Sequence, residues 1–171
     1  MKTQRISAWL SLVLAVAIAL LSVGCSGSEQ QVSSLGERQQ PYYTFTDDTG
    51  YAVVLEQKPQ KVAVLFSSYA EIWQLAGGDV AVTVGESVAR GFAAENTPLV
   101  DTGAGKTINQ EALAASQPDF VLCSADIDAQ VETARFLHKA GIPCGVFHVE
   151  QFEDYLRLLK ICTDITGRTD A

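Results

Sequence analysis

Few side chains in this sequence could do chemistry, and they are scattered. The two histidines are His138 and His148. A transition-metal site draws three or four N, S or O ligands, so two separated imidazoles make a poor cage for bare metal. His138 stands between Leu137 and Lys139 in a helical stretch and is expected at the surface. His148 lies at the carboxyl end of an apolar run, where it could face a ligand. Ser67 or Ser68 could act with His148 in hydrolysis, but the G-x-S-x-G elbow that exposes such a nucleophile is missing. Glu86 and Asp126 are loop carboxylates open to acid–base use, although solvated loop acids are far commoner. Gly103-Ala104-Gly105-Lys106-Thr107 ends like a phosphate-binding loop, yet the glycine required five positions before Gly105 is Val100. No catalytic residue, metal site or cofactor is expected. A secreted hydrolase stands as the alternative class, beside a surface protein that binds without transporting.

The elements that must position these residues alternate in type. Tyr43-Thr44-Phe45 and Tyr51 to Leu55 flank Asp47-Asp48-Thr49-Gly50, which predicts a hairpin about an Asp/Gly turn. Val62 to Phe66 reads as a buried strand. Ser68 then caps a helix with Glu71 at the capping-box position, and Gly77-Gly78 ends it. In that helix Ile72, Trp73 and Leu75 are expected to face a core. Val80 to Val84, Leu99-Val100, Phe120 to Cys123 and Cys144 to Val149 read as further strands. Asn109 to Ser116, Ile127 to Ala140 and Phe152 to Thr166 read as helices. Apolar strands alternating with helices imply an α/β, Rossmann-like lobe with a mostly parallel sheet covered on both faces, preceded by a β-hairpin. Ligands of such sheets sit beyond the carboxyl ends of the strands. The expected rim is therefore Ser67-Ser68-Tyr69, Glu86 to Phe92, Thr102 to Lys106, Ser124-Ala125-Asp126 and His148.

The N-terminus points to export. Lys2 and Arg5 precede an apolar run from Ala8 to Val23, and small residues follow, the order found in a signal peptide. The run is short for a spanning helix. Leu21-Ser22-Val23-Gly24-Cys25 resembles a bacterial lipobox, with Ser22 where an aliphatic residue is usual. The expected organisation is a lipoprotein signal peptide over 1–24, a flexible polar tether over 25–40 and the lobe over 41–171. Lipidated Cys25 would place the protein on the extracytoplasmic face of the cell membrane, held by more than one acyl chain. The whole chain carries 12 basic and 20 acidic residues, and setting aside Lys2 and Arg5 leaves 10 against 20. An acidic body has no electrostatic reason to bind nucleic acid. Cys123, Cys144 and Cys162 are an odd number that cannot all pair within the chain. In apolar runs they are expected to act as small buried hydrophobes.

Longer stretches carry a family resemblance. Lys61 to Phe66, Tyr69-Ala70-Glu71, Leu75-Ala76-Gly77-Gly78, Val84-Gly85-Glu86 and Leu99-Val100-Asp101 are similar to the iron-siderophore/cobalamin solute-binding proteins of ABC importers. Ile108 to Leu113, Ala115 to Leu122 and Ala140-Gly141-Ile142-Pro143 continue the pattern. The resemblance runs from Tyr42 to Ala171 and implies the N-terminal lobe of a periplasmic binding protein. It also implies two α/β lobes joined by a long helix with ligand between them; residues 1–171 hold only the first. It implies a ferric siderophore or related chelate as ligand, with haem or cobalamin as alternatives, and an ABC permease with its ATPase as partner. It places Tyr69, Arg90, Phe92 and Lys106 toward the ligand and Glu111 against the permease, while rim position adds Ser68 and His148 as ligand-binding candidates.

Overall fold

The computed structural model describes residues 40–101 and 107–168. The expected leader and Cys25 lie outside the described residues, as does Thr102 to Lys106. A hairpin opens the fold, β1 (Tyr43–Thr46) pairing antiparallel with β2 (Ala52–Leu55). Its turn is built by Asp47, whose Oδ1 accepts from the Thr49 and Tyr51 backbone N–H groups at 2.9 Å each. Gly50 supplies the positive φ of 82° that closes it.

The sheet follows as β3 (Val62–Val64), β4 (Val80–Thr83), β5 (Phe120–Ser124) and β6 (Cys144–Phe147). All neighbours are parallel and the spatial order is β4-β3-β5-β6. Strand alternation sorts the side chains between two cores. Val62, Val64, Phe120 and Leu122 face one core, which α1 (Ser67–Leu75) and α5 (Phe152–Thr166) cover with the hairpin. Ala63, Leu65, Val121 and Cys123 face the other, beneath α3 (Gln110–Ala115) and α4 (Asp128–Lys139). A strand buried on both faces has no solvated side, which is why β3, β5 and β6 read as unbroken apolar runs. The free edge of β6 is covered by the hairpin turn: Asp48 N–H donates to Val146 O, and Val146 N–H to Asp47 Oδ2, each at 3.0 Å.

Several local expectations change. Helix α1 starts at Ser67 with Phe66 at its N-cap and no side-chain cap bond. The chain passes straight from β3 into the helix, so the Ser68–Glu71 capping box does not form. Leu75 is half exposed because the buried stripe runs through Tyr69, Ile72, Trp73 and Ala76. Leu99-Val100 makes only a single bridge from Leu99 to Thr83. Gly85–Ala89, expected as loop, is a short helix, α2. His138 is half-buried; its ring lies flat on Tyr51 with centroids 3.6 Å apart, and a ring nitrogen is 3.0 Å from Cys144 O. Helix α3 starts as expected, with Asn109 Oδ1 accepting from Ala112 N–H. Cys123, Cys144 and Cys162 are free and buried. Burial pushes the Cys162 thiol up to about 12, and burial with the neighbouring Cys123 thiol raises Cys144, so Cys144 and Cys162 stay neutral within the core.

Candidate functional site

The carboxyl ends of β3 to β6 form a rim with two chemically distinct sides. Over β3 and β4, α2 ends at Arg90, whose Nη1 donates to the buried Ser67 Oγ at 3.0 Å. The guanidinium lies 4.8 Å from the centre of the Phe92 ring, within cation–π range. Glu86, one turn earlier on α2, is 3.6 Å from Arg90. Ser68 is half-buried in the first turn of α1 beside Ser67. This side offers a half-exposed cation, an aromatic face and hydroxyl groups.

Over β5 and β6 the rim is carboxylate-rich. His148 Nδ1 is 2.6 Å from Asp126 Oδ1, and Nε2 is 3.4 Å from Glu150 Oε2. The hydrogen bond to Asp126, followed by that to Glu150, raises the imidazole above its ordinary pKa. His148 N–H donates to Asp48 Oδ2 at 2.7 Å, and Arg157 on α5 donates to the same oxygen at 2.8 Å. The bond to Asp48 raises the Arg157 guanidinium further. Asp154 accepts from the Gln151 and Glu150 backbone N–H groups, which hold its carboxyl below the usual range. Beneath the rim, buried Gln130 accepts from Ser124 N–H and donates to Leu65 O, both at 2.7 Å, locking the ends of β3 and β5 to α4.

Tyr69 was expected at the rim and lies in the core instead, 2% exposed. Its ring packs edge-on against Phe66 and Phe147, and its hydroxyl donates to Phe147 O at 2.8 Å. Burial pushes that hydroxyl up to about 12. Arg90 and Phe92 come together as a pair, whereas His148 belongs to the other side. Lys106 lies outside the described residues. Glu111 is exposed in the first turn of α3. The His148 ring bonds to carboxylates, and the Ser67 hydroxyl accepts from Arg90, so the hydrolytic pairing considered from sequence is not the arrangement observed. Asp48, Glu150 and Arg157 join the site although the sequence marked none of them as a binding residue.

A helix-covered parallel sheet with a polar rim and a leading hairpin is thus in place. The family model described as periplasmic binding protein matches residues 62–171. The chain belongs to that family. Its members are named as binding proteins rather than enzymes, and the family name implies an extracytoplasmic setting. The fold is also similar to several solved periplasmic binding proteins. A periplasmic solute binding protein from Veillonella parvula superposes with a TM-score of 0.60 at 21% identity, covering 73% of this chain and 42% of that one. Staphylococcus aureus SirA complexed with staphyloferrin B gives 0.54 at 16% identity, covering 73% and 44%. The heme binding protein HmuT gives 0.60 at 20% identity, covering 74% and 42%. This periplasmic binding protein chain therefore spans less than half the length of these relatives, the share expected of one lobe. No curated protein matches the chain at a significant level. Among the described residues no helix is long and apolar enough to cross a membrane.

Proposed function

We propose that this protein is the solute-binding component of an ABC importer and captures a ferric siderophore or related metal chelate. The family match carries the solute-binding role. The chelate class draws support from the pairing of Arg90 with Phe92 at the rim. A bulky anionic chelate gains from a cation set beside an aromatic face, and from the face itself. SirA, a relative in fold, is described with staphyloferrin B bound. The bound solute would pass to a permease driven by its ATPase. Exposed Glu111 would contact that permease, and lipidated Cys25 would tether the protein to the membrane. Haem is a second reading, favoured by the likeness to HmuT and by half-exposed His148 at the same rim.

Isothermal titration with a panel of ferric siderophores, haem and cobalamin tests the reading. Calorimetry is preferable to tryptophan fluorescence because Trp73 is buried, with its indole N–H donated to Asp79 O. Saturable binding of a ferric siderophore that weakens about tenfold in Arg90→Ala, a loss of about 1.4 kcal/mol, is the expected result. A form carrying a second lobe should bind more tightly, since such sites bury most of the ligand between two surfaces. If haem alone binds and Arg90→Ala has no effect, the siderophore reading fails.

A further inference from the structure

Three loops of the rim meet at one histidine, which stands on the same loop as Glu150. Asp126 belongs to the β5–α4 loop, Glu150 to the β6–α5 loop and Asp48 to the hairpin turn. His148 touches all three: Nδ1 faces Asp126 at 2.6 Å, Nε2 faces Glu150 at 3.4 Å, and its backbone N–H donates to Asp48 at 2.7 Å. Each ring nitrogen thus faces a different carboxylate, Asp126 across from the β5–α4 loop and Glu150 on the histidine's own loop. We propose that His148 is a proton-operated clasp of the rim, whose imidazolium holds Asp126 and Glu150 together and whose neutral form lets Glu150 go.

Hydrogen bonding fixes the direction of release. Both ring nitrogens donate in the imidazolium, but only one does in the neutral ring. The proton stays at Nδ1, where the contact with Asp126 is short, and leaves Nε2, where the contact with Glu150 is long. A bare Nε2 lone pair then faces the Glu150 carboxylate, and attraction becomes repulsion. The other charged groups near the ring are committed elsewhere. Arg157 pairs with Asp48, Asp154 accepts the backbone N–H groups of Glu150 and Gln151, and Tyr69 on α1 donates to Phe147 O below. None of those bonds needs the imidazole proton, so the Asp48 arm and the α5 start remain while the Glu150 side chain swings free.

The consequence at the site is the loss of one positive charge, with one carboxylate released. If the rim receives an anionic chelate, a step that rests on the function proposed above, capture weakens as pH rises. The clasp itself does not depend on that reading and can be tested without any solute.

The experiment is an NMR titration of the intact chain, following the His148 Cε1–H signal that disappears in H148Q together with the Glu150 backbone amide. The expected midpoint lies above the ordinary histidine value, and the Glu150 amide moves with the same midpoint. D126N should lower the midpoint most and E150Q by less. Both carboxylates are at the surface, and the wild-type titration supplies a readout that needs no variant. A midpoint at or below the ordinary value, a Glu150 amide that ignores it, or an E150Q midpoint equal to wild type would each overturn the clasp. In the last case His148 and Asp126 form a simple pair, and the solute reading is untouched.

Discussion

The two sides of the rim differ in how firmly they are rooted. The β5–β6 side stands on Phe147, fully buried and stacked on Phe45 with ring centroids 5.7 Å apart. It is also tied down by Tyr69, Gln130 and the Asp47 turn, all buried. The β3–β4 side carries Arg90 at the end of a five-residue helix, with its side chain 44% exposed. One contact to Ser67, one to Phe92 and a loose pair with Glu86 hold it. Groups held by a packed core keep a fixed geometry, whereas a half-exposed arginine can adjust to a ligand. If the rim binds the proposed chelate, the acidic side sets the frame and the Arg90 side tunes the preference.

Mutations that break the rooted side should cost the most. Phe147→Ala removes a fully buried ring that packs against Phe45 and Tyr69. We expect a loss of about 3–5 kcal/mol, read as a lower urea midpoint at an unchanged slope. Asp47→Ala strips the acceptor from Val146 N–H at the β6 edge and from two turn amides. Leaving the buried Val146 N–H unpaired predicts a loss of about 1–3 kcal/mol. Tyr69→Phe deletes one buried hydroxyl and should cost about 1 kcal/mol by the same measurement. A loss as small as that expected for Arg90→Ala would show that the hydroxyl does not root this side.

The lightly held side should respond in the opposite manner. Arg90→Ala is expected to change stability by less than about 0.5 kcal/mol, as surface substitutions do, while weakening chelate binding. Equal losses of stability from Arg90→Ala and Asp47→Ala would erase the distinction between the two sides.

The smallest effect sharpens the comparison through pH. His148 has a raised pKa, so its contribution to stability is fully present below the ordinary histidine value of 6.5. It is lost as pH rises from there through the folded value. Asp154 has a lowered pKa, so its contribution is present above the ordinary 3.8 and lost as pH falls through the folded value. Thermal melts across pH should show a shallow decline on both flanks. H148Q should flatten the alkaline flank and leave the acid one.

Local chemistry made much of the fold legible. Short, unbroken apolar runs over Val62 to Val64 and Phe120 to Cys123, rich in β-branched and aromatic residues, suit a strand covered on both faces. Phe152 to Thr166 closes on Gly167, whose φ of 76° is the left-handed stop a glycine allows. Asn109 caps α3, its short side chain reaching the third amide along. These features depend on neighbours within a few residues, and the sequence lays those neighbours side by side.

Tertiary structure decided where side chains point and which loops meet. Whether Tyr69 faces ligand or core depends on the phase of α1 over the sheet, and Phe147, its partner, lies 78 positions away. Asp48 meets the His148 backbone across a separation of 100 residues, and Arg157 meets Asp48 across 109. No local pattern encodes such pairs, because the hairpin meets the edge of β6 only through the tertiary fold. The sequence alone determined an α/β lobe with its rim at the carboxyl ends of the strands. Only packing brought an arginine onto an aromatic ring at one end of that rim and a histidine between two carboxylates at the other.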